Sequence, residues 1–158
     1  MTDIVLAQAA GPALVGQARE LFLEYADAIG TNLEYQGFSA ELAALPRPYV
    51  PPGGALLLAR VDGALAGCVA LRPLGETVGE MKRLYVRPDY RKLNLGRRLV
   101  EAVIAAARDA GYRELRLDTL PSMVAAQALY RHLGFIEISP YNDTHLPGTR
   151  FYSLALTS

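Results

Sequence analysis

The chain has 158 residues, with 16 basic and 16 acidic side chains and therefore no net charge. This length suits one domain with its own core, which we expect residues 1–158 to form. Neutral charge argues against nucleic acid as a partner, and the sequence holds no run of 18 apolar residues that would cross a membrane. The single cysteine, Cys68, excludes an intramolecular disulfide and a thiolate metal cluster, so we expect no metal and a cytoplasmic setting.

The first third of the chain is predicted to contain a strand and one long helix. Apolar residues in "DIVLAQAA" favour a short strand. Apolar residues then recur at steps of three and four over residues 12–28, which predicts a helix with Gly30 as its stop. Residues 31–54 are irregular apart from a short predicted helix over residues 39–45, with Ser39 as its N-cap.

Strands dominate the middle of the chain. "ALLLARV" and "ALAGCVAL" flank Asp62 and Gly63, a dipeptide typical of a β-hairpin turn, and "GEMKRLYV" predicts a third strand. A helical apolar face over residues 96–110 predicts the second long helix, with Gly111 at its C-terminal end. "ELRLDTL", "SMVAAQALYRHL", "FIEIS" and "RFYSLAL" then predict a strand, a helix and two closing strands.

This order of elements predicts an α+β fold. Antiparallel hairpins come first, and a strand–helix–strand crossover over residues 81–120 follows, which places two strands in parallel. We therefore expect a mixed, mostly antiparallel central sheet with helices on both faces.

Positive charge is concentrated just before the second long helix. Residues 87–98 contain one acid against five basic residues, which are Arg87, Arg91, Lys92, Arg97 and Arg98. A turn that leads into a helix presents free N–H groups and the positive end of the helix dipole, and this combination binds phosphate. The stretch lacks the Gly-Lys-Ser/Thr of a P-loop and the three glycines of a dinucleotide fingerprint. We interpret it as a polyphosphate cradle, with a solvated helix start as the alternative.

Two segments resemble the GNAT superfamily of acyl-CoA-dependent N-acyltransferases. "RLYVRPDYRKLNLGRRLV" is similar to the family's acyl-CoA motif, a strand, then Arg/Gln-x-x-Gly-x-Gly/Ala, then a helix, which falls here on Arg91, Asn94 and Gly96. "LDTLPSMVAAQALYRHLGFIEI" resembles the downstream strand–helix–strand of the family, with matches at Ala126, Leu129, Tyr130, Gly134 and Phe135. The upstream element order also agrees, so the resemblance covers nearly the whole chain.

The resemblance implies a GNAT-like fold and an enzyme that moves an acetyl group from acetyl-CoA to a primary amine, with a small molecule as the expected acceptor and a homodimer as an expected assembly. A non-catalytic acyl-CoA sensor of the same fold is the alternative. The implied acetyl-CoA-binding residues lie on the strand, the turn and the later helix: Leu84, Tyr85, Val86, Arg91, Lys92, Leu93, Asn94, Leu95, Gly96, Arg97, Met123 and Ala126.

Two of these positions depart from the family pattern. Asn94 replaces the first glycine of the motif, and Asn tolerates the left-handed conformation that the turn requires. Met123 replaces an Asn of the later helix, which removes any hydrogen bond of that Asn to pantetheine.

Two residues are candidates for proton transfer. Glu80 lies where several family members place a catalytic Glu, and the resemblance implies a general base that takes the proton of the amine. Tyr130 matches the family's tyrosine and is implied as the general acid for the CoA thiolate. The alternatives are an ordinary strand-end glutamate and a core tyrosine. Regular alternation along the strand would also place four residues on one face: Glu80, Lys82, Leu84 and Val86.

The acceptor is expected near the first two helices and the loop between the last two strands. Residues 19–47 contain five acids and two bases, with aromatic residues among them. Such a surface would attract a cationic or aromatic amine, although the acids fit the solvated face of a helix equally well. The candidate acceptor residues are Tyr25, Tyr35, Phe38 and Tyr141.

Overall fold

The structure of the protein is a computed structural model that describes residues 2–156. The strands are β1 Ile4–Gln8, β2 Ala55–Val61, β3 Ala64–Pro73, β4 Val78–Val86, β5 Glu114–Thr119, β6 Ile136–Ile138 and β7 Arg150–Ala155. The α-helices are α1 Pro12–Ile29, α2 Phe38–Ala44, α3 Leu95–Asp109 and α4 Val124–His132. Two 3₁₀ turns span Leu33–Gln36 and Pro88–Leu93.

The strands form one mixed sheet in the order β1-β2-β3-β4-β5-β7-β6. Neighbouring strands are antiparallel except β4 and β5, which are parallel because α3 crosses between them. The predicted hairpins, crossover and α+β class are confirmed. Within residues 2–156, no helix is long and apolar enough to span a membrane.

The helices cover both faces of the sheet. On one face, Phe22 of α1 and Phe38 of α2 pack into a buried cluster with Leu56 of β2. On the other face, Leu99 of α3 and Tyr130 of α4 join a second buried cluster. The sheet is therefore held between two packed layers, and its strands form a rigid base for the groups at their ends.

Strands β4 and β5 pair only where they begin. Val78–Glu80 pairs with Glu114–Arg116, and beyond that point β4 continues along β3 while β5 continues along β7. Among the described strands, residues 81–86 and 117–119 therefore have no partner on the edges that face each other. An opening forms between the carboxyl ends of the two strands.

A β-bulge interrupts β4. Two residues of β4, Arg83 and Leu84, lie opposite a single residue of β3, Val69. Arg83 has a φ of 61°, in the left-handed region. The extra residue reverses the direction of the side chains that follow it.

This reversal corrects one expectation from the sequence. Met81, Leu84 and Val86 pack on the α3 side of the sheet, so Glu80 and Lys82 face the opposite side. The prediction that residues 80, 82, 84 and 86 share one face is wrong, because alternation holds only along an unbroken strand.

The ends of α2 also differ from the prediction. The helix begins at Phe38 with Gly37 as its N-cap, so Ser39 lies inside the helix and is not its cap. The backbone N–H of Ser39 donates instead to the carboxylate of Glu34 at 2.9 Å. The stop of α1 is as predicted, with Gly30 in the left-handed conformation.

Candidate active site

A groove of about 680 Å³ lies between the end of β4, the start of α3 and the start of α4. Both segments that carry the acyl-CoA resemblance contribute to its lining. The lining includes nine of the predicted cofactor-binding residues: Leu84, Tyr85, Val86, Arg91, Asn94, Gly96, Arg97, Met123 and Ala126. Segments far apart in the sequence therefore meet at one surface, as the resemblance implies.

The turn before α3 has the geometry that anion binding requires. Asn94 has φ 56° and ψ 26°, the left-handed conformation for which a glycine is more usual. Its side chain accepts no hydrogen bond from the first turn of α3, so the N–H groups of that turn stay available to a ligand. A Cβ built on Gly96 would meet only Leu129 within 4 Å, at 3.8 Å, so the space beside the helix start is open.

The basic residues of this turn differ in their contacts. Arg91 and Arg97 line the groove, and Arg97 also forms an exposed ion pair with Glu101 at 3.3 Å. Arg87 instead forms ion pairs with Glu20 at 3.1 Å and Glu24 at 2.6 Å, which tie β4 to α1. The charge that faces the groove is therefore smaller than the count over residues 87–98 indicates.

Three predicted cofactor-binding residues lie outside the lining of the groove. Lys92 is exposed, and Leu93 packs against the core that includes α3. Leu95 is fully buried in that core, so only its backbone could contribute to the cradle. The side chains of Leu93 and Leu95 therefore pack in the core and that of Lys92 faces solvent, although all three residues belong to the acyl-CoA motif.

The free edge of β4 forms one wall of the groove. Because β5 has separated from β4 here, the backbone of residues 84–86 has no strand partner on that side among the described elements. One carbonyl of this edge, that of Val86, accepts a hydrogen bond from Arg91 Nε at 3.0 Å. An extended ligand can pair with such an edge as an additional strand.

A smaller space adjoins the groove where β4 and β5 separate. This junction cavity has a volume of about 30 Å³, roughly that of one water molecule, and Tyr130 lies in its wall. Tyr25, Leu84 and Met123 line both the groove and the junction cavity. A ligand in the groove can therefore extend its end towards Tyr130.

Tyr130 is held rigidly within the core. Its ring contacts Phe135 and Tyr152, with centroid distances of 5.7 Å and 6.1 Å. Within residues 2–156, its hydroxyl has no hydrogen-bond partner, and burial raises the pKa of Tyr130 above its usual range. The hydroxyl therefore keeps its proton at neutral pH, as a proton donor must.

A third space, the distal cavity, has a volume of about 150 Å³ and lies beyond the junction cavity. Its lining is polar and carries charges of both signs: Gln36, Arg72, Leu74, Glu80, Lys82, Asp118, Tyr141, Asn142 and Thr144. Gln36, Lys82 and Asp118 also line the junction cavity. The junction cavity thus lies between the groove and the distal cavity and shares wall residues with each.

Glu80 lies in the wall of the distal cavity with both carboxylate oxygens engaged. Its Oε1 is 2.7 Å from Arg72 Nε, and its Oε2 accepts a hydrogen bond from the Tyr141 hydroxyl at 2.6 Å. The residue is 2% exposed. These contacts hold Arg72 and Tyr141 in place.

Asp118, the penultimate residue of β5, is the functional candidate that sequence reasoning missed. It lines both the junction cavity and the distal cavity, opposite Lys82 of β4. Burial raises the pKa of Asp118, and the charge of Lys82 offsets part of that shift. The signal in the sequence is one acid at the end of "ELRLDT", which resembles any solvent-facing position of an alternating strand.

The residues predicted for the acceptor do not act as one group. Tyr25 and Tyr35 line the junction cavity, and Tyr141 lines the distal cavity. Phe38 is buried beneath the guanidinium of Arg83, 5.3 Å from its ring centroid, and lines none of the three spaces. Phe38 therefore supports the wall and is not itself a contact surface.

The acidic surface expected over residues 19–47 is also corrected. Glu41 forms a buried ion pair with Arg83 at 2.7 Å, and Glu20 and Glu24 pair with Arg87. These acids hold α1 and α2 against β4. The other two acids, Asp27 and Glu34, are exposed, as expected for a solvated face.

Comparison with known proteins identifies the family. The model of the acetyltransferase (GNAT) family matches residues 19–135. The chain belongs to this family. An uncharacterised N-acetyltransferase of Schizosaccharomyces pombe is 40% identical to this acetyltransferase over 139 residues, which cover 87% of the chain and 85% of the relative. An IAA acetyltransferase of Azospirillum brasilense is 40% identical over 86 residues, 54% of the chain and 56% of the relative.

Solved structures show the same fold. A GNAT-family acetyltransferase of Staphylococcus aureus superimposes with a TM-score of 0.81 at 23% identity, covering 98% of this chain and all of that one. An acetyltransferase of Salmonella typhimurium, solved with its cofactor acetyl-CoA, has a TM-score of 0.69 at 17% identity. The match covers 98% of this chain and 94% of that one. The predicted family and fold are thus confirmed.

The protein is therefore an acetyl-CoA-dependent acetyltransferase of GNAT type. The groove fits this cosubstrate, because it joins a free strand edge to an uncapped helix start with an open space at Gly96. Arg91 and Arg97 would lie beside the diphosphate, and residues 84–86 beside the pantetheine chain. Acetyl-CoA, when bound, would supply the activated acetyl group as a thioester.

Proposed function

We propose that this acetyltransferase transfers the acetyl group directly from acetyl-CoA to the primary amine of a small molecule. The observation that supports this proposal is the arrangement of three neighbouring spaces, in which the junction cavity shares wall residues with both the groove and the distal cavity. With the thioester at the junction cavity, an acceptor in the distal cavity would meet it beside Tyr130. No covalent enzyme intermediate is needed.

The distal cavity also sets the size of the acceptor. Its volume of about 150 Å³ is that of about five water molecules, at roughly 30 Å³ each. Polar side chains of β4, β5 and the loop before β7 enclose it. These features favour a compact polar amine.

Transfer requires two proton movements. The neutral amine nitrogen attacks the thioester carbonyl carbon, an N–C bond forms, and the C–S bond breaks. The ammonium form of the amine first gives one proton to a carboxylate, and the departing sulfur takes the proton of the Tyr130 hydroxyl. The second proton of the nitrogen, released as the amide forms, restores the Tyr130 hydroxyl through solvent. A carboxylate is needed early, because an amine with a pKa near about 10 is neutral in only about one molecule per thousand at pH 7.

Two carboxylates are candidates for the base. Glu80 is the candidate that the family resemblance implies, but both of its oxygens are engaged by Arg72 and Tyr141. Asp118 lines the junction cavity beside Tyr130, and burial raises its pKa, which favours uptake of a proton. We therefore favour Asp118 as the base and Glu80 as a positioning residue for Arg72 and Tyr141.

A steady-state assay of free CoA tests the proposal. Acetyl-CoA is incubated with the enzyme and a panel of small primary amines, and CoA release is compared with a reaction without amine. We expect amine-dependent release and an N-acetylated product by mass spectrometry. Tight binding of acetyl-CoA without release over the whole panel would instead favour the acyl-CoA sensor.

A further inference from the structure

Lys82 carries a positive charge that is unusual in its surroundings. Its Nζ approaches Gln36 Oε1 at 3.4 Å, and no carboxylate of the described residues lies within 4.0 Å of it. The neighbouring cations of the same region are paired, Arg72 with Glu80 and Arg83 with Glu41, each at 2.7 Å. Burial and the charge of Arg83 lower the pKa of Lys82, and the charges of Glu80 and Asp118 offset part of this shift.

Asp118, on the neighbouring strand β5, is a negative group that likewise lacks an ion-pair partner in the described part of the chain. Its carboxylate also has no cation within 4.0 Å in the described part of the chain, although Lys82 lies in the wall of the same two cavities. The ammonium group of Lys82 and the carboxylate of Asp118 therefore face the same cavity without forming an ion pair with each other. Half-buried charges are costly to leave unpaired, so a bound molecule that pairs with both would gain from each.

The other charges around this space are already neutralised or fixed. Glu80 and Arg72 form their own ion pair, and the Tyr141 hydroxyl donates to Glu80. Gln36, Asn142 and Thr144 complete the wall with uncharged polar groups. The two groups left to select a ligand by charge are Lys82 and Asp118.

We propose that the acceptor is a small α-amino acid, whose carboxylate pairs with Lys82 and whose amine faces Asp118. This inference rests on the proposed function and names its substrate class. An α-amino acid carries opposite charges a few ångströms apart, which complement those of the two residues. Its size, about five to ten non-hydrogen atoms, suits a cavity with room for about five waters. Asp118 also lines the junction cavity with Tyr130, so an amine beside Asp118 would lie near the place where the acetyl group is delivered.

The inference predicts that close chemical analogues of an α-amino acid are poorer acceptors. A simple alkylamine lacks the carboxylate and leaves Lys82 unpaired. An amino acid amide, which resembles the N-terminus of a peptide, also lacks the negative charge of the carboxylate. The amide is the more stringent comparison, because its amine has a pKa near about 8 and is neutral more often than that of the free amino acid.

The test compares matched acceptors. Alanine, alaninamide and ethylamine, with the equivalent sets for serine and aspartate, are assayed for kcat/KM by CoA release. We expect at least one free amino acid to exceed its amide and its alkylamine by roughly 10- to 100-fold, the value of a charge-assisted contact. Lys82→Gln should reduce this preference to near unity, mainly by raising KM for the amino acid. Lys82→Arg should keep most of it.

Two controls make the result decisive. Arg108→Gln removes one positive charge at an exposed position of α3 outside the three spaces, and it should leave the preference unchanged. Calorimetric titration of Lys82→Gln with acetyl-CoA should give the affinity of the parent, which verifies that the variant is folded. Equal use of acids, amides and alkylamines, unchanged in Lys82→Gln, would overturn the inference and leave the proposed function standing. Failure of every amine would overturn both.

Discussion

Asp118 and Tyr130 line the same junction cavity although they project from opposite faces of the sheet. Tyr130 packs with Leu115 and Leu117 of β5 on the α3 side, and Asp118 alternates to the other side. They can meet because β4 and β5 separate after Glu80 and Arg116. In the proposed mechanism, the proton acceptor Asp118 and the proton donor Tyr130 would thus lie on two sides of the point where the thioester reacts.

Tyr130→Phe tests the proton donor. The ring contacts with Phe135 and Tyr152 are kept, and the lost hydroxyl has no hydrogen-bond partner in the described chain, so the variant should fold as the parent does. We expect kcat to fall by a factor on the order of 10²–10⁴ with little change in acetyl-CoA affinity. Steady-state kinetics and calorimetric titration measure the two quantities. An unchanged kcat, in the absence of rate-limiting product release, would reduce Tyr130 to a packing role.

The pH dependence of kcat/KM distinguishes the two carboxylates. If Asp118 is the base, the parent should lose activity at low pH with an apparent pKa above 3.8, the ordinary value of Asp, because burial raises the pKa of Asp118. Asp118→Asn should remove this acidic limb and most of the activity. Glu80→Gln should lower the rate but keep the limb. Loss of the limb in Glu80→Gln alone would instead identify Glu80 as the base.

Asp118→Asn also has an expected effect on the stability of the protein. The raised pKa of Asp118 means that its ionisation costs more in the folded protein than in the unfolded chain. This cost is absent at pH values below the unfolded pKa, grows as the pH rises, and is complete above the folded pKa. Asp118→Asn should therefore be at least as stable as the parent at pH 7, with no advantage at about pH 3. Urea denaturation at both pH values measures the difference, and lower stability of the variant at pH 7 would contradict it.

Asn94 is expected to matter for its backbone conformation. Its φ of 56° suits glycine and resists a β-branched residue, so Asn94→Gly should bind acetyl-CoA at least as well as the parent. Asn94→Val should strain the turn by about 1–3 kcal/mol and weaken binding roughly five- to hundredfold. Calorimetric titration decides between the two outcomes.

Asp62 offers a matched control for this experiment. It has a φ of 49° in the hairpin turn between β2 and β3, away from the groove. Asp62→Val should lower the melting temperature without changing acetyl-CoA affinity. If Asn94→Gly weakened binding while Asn94→Val did not, the backbone cradle would be wrong, and the turn would be a solvated helix start.

The ion pair of Arg83 and Glu41 is expected to be structurally important. Their side chains are only 3% and 10% exposed, so Glu41→Ala leaves a buried guanidinium without its partner. We expect a loss of about 3–5 kcal/mol in the free energy of unfolding. Glu137→Ala, which breaks the exposed pair with Arg150, should cost at most about 1 kcal/mol. Urea denaturation of both variants checks the contrast, and equal losses would contradict it.

The sequence by itself determined the elements and their order, and its resemblance to a family implied the cosubstrate. Local signals carry this information: glycine positions at helix ends, the Asp62-Gly63 turn, and apolar periodicity are set by a few neighbouring residues. The left-handed Asn94 belongs to the same class, because its conformation depends on the turn that it forms. These features need no knowledge of distant contacts.

The tertiary structure determined which charged side chains form ion pairs and which face a cavity without a partner. The bulge at Arg83 reverses the side chains after it, and Arg87 and Arg83 neutralise acids that the sequence left as an acceptor surface. Asp118 and Lys82, 36 positions apart, face one cavity only because two parallel strands separate beside them. Ion pairing and strand divergence depend on residues far apart in the chain, so no local pattern in the sequence encodes them.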